Sequence, residues 1–87
     1  MFVILFYDFV EKRVGKALKI CRKYLTWIQN SVFEGEITEA NVRKLKYELE
    51  RIMDKSYDSL IIYSFSSMKY YKREVIGVEK NPNTIFL

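Results

Sequence analysis

The apolar residues of this chain occur in two patterns, unbroken runs and helically spaced stripes, and an unbroken run opens the sequence. Residues 2–7 are all aromatic or branched apolar, and Asp8 follows them directly. The run is far shorter than the roughly 20 residues that a membrane-spanning helix needs, and it is typical of a strand buried on both faces. Because a carboxylate inside such a strand would carry a large desolvation cost, we expect Asp8 at the C-terminal edge of the sheet, where ligands and metals often collect. The alternative is that Asp8 only caps the following helix.

Two stretches carry apolar residues at the three- and four-residue spacing of an amphipathic helix. The first covers residues 11–24, and its stripe consists of Val14, Leu18, Cys21 and Leu25. The second runs from Thr38, a favourable N-cap residue, to about residue 54. Its stripe consists of Val42, Leu45, Leu49 and Ile52. Cys21 is the only cysteine, so the chain cannot form an internal disulfide, and the place of Cys21 on the stripe predicts a core position.

Three further stretches are typical of strands. Residues 26–33 are rich in aromatic and β-branched side chains, with Asn30-Ser31 as a bulge or tight bend and Gly35-Glu36 as the exit turn. Residues 60–65 form a second apolar run, broken only by Ser64, and residues 70–78 are charged early and apolar late. This order, with both helices on one face of a mostly antiparallel sheet, predicts an α+β, ferredoxin-like βαββαβ sandwich with an additional C-terminal strand.

The last residues form an apolar tail beyond the predicted domain. Residues 1–80 make up the ferredoxin-like domain, and residues 81–87 follow it, starting with the pattern-breaking Asn81-Pro82-Asn83. Ile85, Phe86 and Leu87 end the chain with no later helix or hairpin to cover them. Fraying is the default for a terminus, but so apolar a tail favours an edge strand added to a second subunit. We therefore expect a homodimer.

Composition and charge limit the kinds of catalysis and binding that this chain can perform. The 87 residues are 49% hydrophobic and contain no histidine, which removes histidine-based catalytic triads and metal sites. The net charge of +4 comes from residues 1–33, where six basic residues face two acids. Such an excess points to a polyanionic partner, although a solvated basic face has the same appearance. With no secretion signal and no long apolar stretch, a soluble, cytoplasmic protein without a membrane partner is expected.

Three segments of the chain form a recognisable combination. They are a strand that ends in Tyr7-Asp8, the start of a basic helix at residues 11–16, and the segment Trp-Ile-Gln-Asn-Ser-Val-Phe-Glu-Gly-Glu at residues 27–36. Together they resemble the CRISPR-associated Cas2 family. The resemblance covers nearly the whole chain, because length and element order also agree. One departure is Trp27, which stands where some members have an arginine, so any role of that arginine is absent here.

The resemblance implies a homodimer of ferredoxin-like folds whose last strand crosses to the partner's sheet. It also implies a part in acquiring CRISPR spacers beside the larger integrase of that system. Some members are described as Mg²⁺-dependent endonucleases on single-stranded RNA or double-stranded DNA, and others act only as scaffolds. The family's metal aspartate falls on Asp8, its helix-start arginine on Arg13, and its Ser-x-Phe pair on Ser31 and Phe33.

The residues themselves are compatible with metal-dependent cleavage of a phosphodiester. A divalent ion can supply the nucleophilic water and neutralise the phosphate, and Mg²⁺ prefers oxygen ligands. Asp8 alone is a poor Mg²⁺ site, whereas two copies of Asp8 across a dimer axis make an adequate one. Tyr7 and Ser31 are candidate orienting hydroxyls, and Tyr7 is equally suited to the core. The candidate phosphate contacts on the first helix are Lys12, Arg13, Lys16 and Lys19. A non-catalytic DNA-binding scaffold and a toxin-type ribonuclease of the same fold remain as alternatives.

Overall fold

The computed structural model describes residues 1–66 and 70–79, and these residues form an antiparallel sheet with two helices. In chain order the elements are β1 (Phe2–Asp8), α1 (Glu11–Arg22), β2 (Thr26–Gln29), β3 (Val32–Glu36), α2 (Glu39–Ile52), β4 (Ser59–Phe65) and β5 (Tyr71–Gly77). The strand order is β2-β3-β1-β4-β5, and every pair is antiparallel. The first four strands have the ferredoxin-like order and β5 is added beside β4, which confirms the predicted fold class.

One side of the sheet, which we call the covered face, holds the core. Alternate β1 residues, Val3, Leu5 and Tyr7, are buried there. Their register partners Phe33, Leu60 and Ile62 share that side because residues opposite each other in a ladder point the same way. Both helices contribute to the same core, through Ala17, Cys21, Leu45 and Leu49. The predicted core position of Cys21 is confirmed.

The other side of the sheet, which we call the open face, is largely apolar and only half-buried. Its apolar strand residues are Phe2, Ile4, Phe6, Val32, Ile61, Tyr63, Phe65 and Val75. Charged side chains flank them in the same rows, Glu34 and Glu36 on β3 and Arg73 on β5. Phe6 and Tyr63 meet edge to face with their ring centroids 6.2 Å apart. The expectation that β1 is buried on both faces is therefore wrong for a single chain, because both helices pack on the covered face.

Local signals in the sequence account for most element boundaries. Asn30 adopts a φ of 46° and separates β2 from β3, as the Asn30-Ser31 bend predicted. The Thr38 hydroxyl accepts the Asn41 N–H at 3.1 Å and caps α2. The exit turn predicted at Gly35-Glu36 is wrong, since Gly35 pairs with Val3 and β3 continues through Glu36.

No helix in the described part is long and apolar enough to span a membrane. The predicted tail, with Ile85, Phe86 and Leu87, lies outside the described residues, so its crossing to a second subunit stays a prediction.

Gly77, at the end of β5, lies close against the backbone of Asp58. Its φ is +90°, and an added Cβ would lie 2.1 Å from the Asp58 carbonyl oxygen, which also accepts the Val78 N–H at 3.0 Å. Because that neighbour is backbone, Gly77→Ala should lower the free energy of unfolding by about 2 kcal/mol or more. Gly15→Ala is the matched control. Nothing lies within 4 Å of its added Cβ in α1, so we expect a gain of up to about 1 kcal/mol. Urea denaturation measures both, and equal stabilities of the two variants would contradict this account.

Candidate functional site

Asp8 lies where the sequence predicted it, as the exposed last residue of β1. Its register partner on β4 is Ser59, whose own partner on β5 is Gly77, and this row belongs to the open face. The N-cap residue of α1 is Val10, two positions beyond Asp8. Asp8 therefore does not occupy the capping position, and its carboxylate sits at the edge of the open face.

The three supporting residues, Tyr7, Ser31 and Phe33, are close together on the covered face. The Tyr7 N–H donates to the Ser31 carbonyl oxygen at 3.1 Å, and the Tyr7 and Phe33 rings stack with centroids 6.2 Å apart. Burial raises the pKa of the Tyr7 hydroxyl, and a hydrogen bond with the Ser31 side chain partly opposes that rise. Since adjacent strand residues point to opposite faces, the Tyr7 hydroxyl lies on the other side of the sheet from the Asp8 side chain.

Arg13 has a different position from the one that a surface phosphate contact requires. Its guanidinium donates to Asp58 twice, from Nε to Oδ2 at 2.6 Å and from Nη2 to Oδ1 at 3.1 Å. The Asp58 side chain is fully buried and only 14% of the Arg13 side chain is exposed. Arg13 is thus part of a buried ion pair. The proposed phosphate contacts on α1 reduce to the lysines.

Asp58 accepts two backbone N–H groups in addition to the guanidinium. The Val10 N–H donates to Oδ1 at 2.8 Å, and the Asp54 N–H donates to Oδ2 at 2.8 Å. Burial alone would raise the pKa of Asp58, but the hydrogen bonds from Arg13, Asp54 and Val10 overcome that effect and lower its pKa to about 2. Asp58 therefore stays ionised and connects the start of α1 to the segment between α2 and β4.

The sequence pattern did not predict the role of Asp58. The available signal was an acid separated by Ser59 alone from the apolar residues 60–63. An acid in that place must be satisfied by donors from elsewhere, because a buried unpaired carboxylate is costly. Nothing in the local pattern identifies Arg13 as the donor.

The lysines of α1 remain at the surface. Lys12, Lys16 and Lys19 are exposed, and none of them forms an ion pair within residues 1–66 and 70–79. Lys23, at the end of the helix, is instead paired with Glu48 of α2. Three of the four predicted phosphate contacts thus present free ammonium groups to solvent.

The described residues offer little else for metal binding within one chain. No group of three or more aspartate, glutamate or cysteine side chains converges anywhere in the described ranges. Asp8 fits an oxygen-ligated divalent ion by chemistry and exposure, but it supplies a single carboxylate. A complete site with Asp8 would need a second source of ligands.

The buried pair predicts a large effect of Asp58→Asn on stability. Removing the charge leaves the Arg13 guanidinium buried without its counter-ion, so the free energy of unfolding should fall by about 3 kcal/mol or more. Asp54→Asn is the control, because the Asp54 side chain is exposed and its change should cost under about 0.5 kcal/mol. Chemical denaturation at neutral pH measures both variants, and a loss no larger for Asp58→Asn than for Asp54→Asn would contradict the assignment.

The same pair predicts how stability depends on pH. Because the folded pKa of Asp58, about 2, lies below its ordinary value of 3.8, the unfolded chain binds more protons between these values. The stabilisation from Asp58 is therefore complete above about pH 5 and lost as the pH falls toward 2, by about 2 kcal/mol in all. Denaturation across this range should show that component in the wild type and not in Asp58→Asn.

Comparison with known proteins places this geometry in a family. The family model of the CRISPR associated protein Cas2 matches residues 1–73. A protein named CRISPR-associated endoribonuclease Cas2 from Dictyoglomus turgidum is 51% identical over 81 residues, 93% of this chain and 93% of that protein. A protein of the same name from Thermotoga maritima is 51% identical over 80 residues, 92% of each. A solved structure described as a crystal structure of Cas2 has a TM-score of 0.74 at 38% identity, with coverage of 100% of this chain and 98% of that one. Because the matched region runs from β1 into β5 and the relatives align over nearly their whole length, this chain belongs to the CRISPR-associated Cas2 family.

Proposed function

We propose that this protein is a CRISPR-associated endonuclease that works as a homodimer, with Asp8 of both subunits at the reaction centre. The observation that carries the proposal is the position of Asp8 at the edge of an apolar sheet face that the chain itself leaves half-covered. Relatives that are about half identical are named endoribonucleases, which supports phosphodiester cleavage as the activity.

The open face is the surface through which two copies would associate. Its eight apolar strand residues are contiguous across β3, β1, β4 and β5. A second copy of the same face is a suitable cover, because a two-fold interface places the same patch against itself. Exposed apolar area of this kind is rare on a monomer of this size.

Such a dimer also supports the metal proposal. Each subunit contributes one Asp8 carboxylate, and the two-fold relation would provide a second from the same row of the partner's sheet. These oxygens would hold Mg²⁺ or a similar divalent cation, which would supply a nucleophilic water and neutralise charge on the phosphate. The chain contains no histidine that could do this work instead.

The exposed lysines of α1 support nucleic acid as the substrate. Lys12, Lys16 and Lys19 would contact phosphates of double-stranded DNA or single-stranded RNA without reading sequence. Family membership favours a role in CRISPR spacer acquisition beside the integrase over a toxin-type ribonuclease of the same fold. The free cations of α1 equally suit a scaffold that binds DNA without cutting it, and the Asp8 experiment below separates the two roles.

The dimer proposal predicts the effect of a charge on the open face. Ile4→Lys places an ammonium group at the centre of that face, so the protein should become monomeric. Tyr47→Lys is the control, because Tyr47 is 63% exposed on α2, on the other side of the molecule. Sedimentation at micromolar concentration should give a dimer for the wild type and for Tyr47→Lys. A monomeric wild type, or a dimeric Ile4→Lys variant, would count against association through this face.

The endonuclease proposal predicts separate effects of Asp8→Asn on cleavage and on folding. Asparagine keeps the shape of the side chain but is a much weaker ligand for a hard cation, so Mg²⁺-dependent cleavage should be lost. Folding and dimerisation should be unchanged, because Asp8 is exposed. Single-stranded RNA and double-stranded DNA are assayed with Mg²⁺ and with EDTA, and Asp54→Asn serves as the exposed-acid control. Cleavage retained in Asp8→Asn would remove Asp8 from the site. A wild type that cuts neither substrate would favour the scaffold.

A further inference from the structure

Two opposite charges stand at the ends of one row of the open face. Ile4 of β1 pairs with Glu34 of β3 on one side and with Tyr63 of β4 on the other, and Tyr63 pairs with Arg73 of β5. The row therefore runs from a carboxylate, through two half-buried apolar side chains, to a guanidinium. Since neighbouring strands are about 4.8 Å apart, the two charged residues belong to strands about 14 Å apart.

Neither charge is fully used within the chain. Glu34 is half-buried and forms no ion pair among the residues that the structure describes. The Arg73 guanidinium donates from Nε to the Tyr63 hydroxyl at 3.3 Å and from Nη2 to Glu79 at 2.7 Å. The bond to Tyr63 directs the guanidinium inward over the open face, and its other N–H groups remain for a further acceptor.

The neighbouring rows have ends that suit each other in the same way. The row on the Asp8 side runs from Val32 on β3 to Val75 on β5. The row on the other side runs from Glu36 to Tyr71. If a second copy of the face exchanged the two ends of every row, valine would oppose valine and a carboxylate would oppose a phenol hydroxyl. The face is therefore complementary to itself when its row ends are exchanged.

Two copies of this face can stack with aligned strands about two different two-fold axes. An axis parallel to the strands, between β1 and β4, exchanges the row ends, so Glu34 of each copy opposes Arg73 of the other. An axis perpendicular to the strands, along the central row, instead opposes Glu34 with Glu34 and Arg73 with Arg73. It also opposes Glu36 with Val32. Because like charges across an interface are costly, the charge pattern favours the parallel axis.

The choice of axis also determines where the two Asp8 carboxylates lie. Asp8 is four residues beyond Ile4 on β1, about 13 Å along the strand. The parallel axis keeps both copies of Asp8 at the same end of the stacked sheets, separated mainly by the sheet spacing of about 10 Å. The perpendicular axis would place them at opposite ends, about 26 Å apart along the strands. Only the parallel axis allows both carboxylates to reach one ion.

We infer that Glu34 and Arg73 are positioning residues: Glu34 of each subunit pairs with Arg73 of the other, and the two pairs fix the orientation that brings the Asp8 carboxylates together. The inference rests on the proposed dimer through the open face and adds the residues that orient it.

The test is charge reversal followed by mixing, with sedimentation equilibrium as the measurement. Glu34→Arg opposes two arginines at each contact and Arg73→Glu opposes two glutamates, so each dimer should dissociate about 100-fold more readily than the wild type. An equimolar mixture of the two variants matches opposite charges at both contacts and should form a heterodimer. Arg43→Glu is the matched control, because Arg43 is exposed on α2, on the other side of the sheet. It should dimerise as the wild type does.

Neutral variants provide a second test if a reversal disturbs folding, which circular dichroism and urea midpoints detect. Glu34→Gln and Arg73→Gln should each weaken the dimer. The double variant should weaken it by clearly less than the product of the two single effects, because each single change already removes the same pair. Effects that multiply independently would overturn the pairing.

The remaining outcomes separate this inference from the proposed dimer. If Ile4→Lys dissociates the dimer but neither reversal weakens it, association through the open face stands and the pairing is wrong. Reversal variants that dissociate alone and stay apart when mixed would also overturn the pairing. A monomeric wild type would overturn both the pairing and the proposed dimer.

Discussion

The buried carboxylate of Asp58 is the constraint on which the arrangement of this molecule depends. Four donors from Arg13, Val10 and Asp54 converge on its two oxygens, and its own carbonyl accepts the Val78 N–H. An ion in this position is tolerated only when every donor is present, since a buried charge that lacks its partner costs several kcal/mol. The starts of α1 and β4, the end of α2 and the exit from β5 are therefore fixed together. Asp8 lies two residues before Val10, so the position of its carboxylate depends on this junction.

The sheet separates the two proposed activities in space. Its covered face carries the helices, and Lys12, Lys16 and Lys19 are exposed on α1. Its open face carries the apolar residues and, at one edge, Asp8. In the proposed function, binding of a polyanion and assembly around Asp8 would therefore use opposite sides of one layer. Cleavage could then be lost without loss of nucleic-acid binding, because the residues proposed for the two roles are not shared.

The sequence predicted the features that depend on neighbouring residues. It did not predict contacts between residues that are distant in the chain. The Thr38 cap and the Asn30 bend depend on neighbouring residues, and the fold class follows from element order. The run at residues 2–7 predicted β1 correctly, yet an unbroken apolar strand looks the same whether a helix or a second subunit covers its other face. Arg13 was grouped with surface lysines because helical spacing gives the side of a helix. Spacing cannot give an acid 45 residues away.

The burial of Arg13 divides the positive charges of this protein into two kinds that respond differently to sequence drift. Lysines at the surface act on a polyanion largely through their number and approximate position, so a charge lost at one helical turn can be regained at the next. The guanidinium of Arg13 reaches both oxygens of Asp58 at once, a geometry that the single ammonium of lysine cannot reproduce. In the proposed role, binding charge could therefore be redistributed over the helices of this protein, whereas Arg13 and Asp58 could change only together.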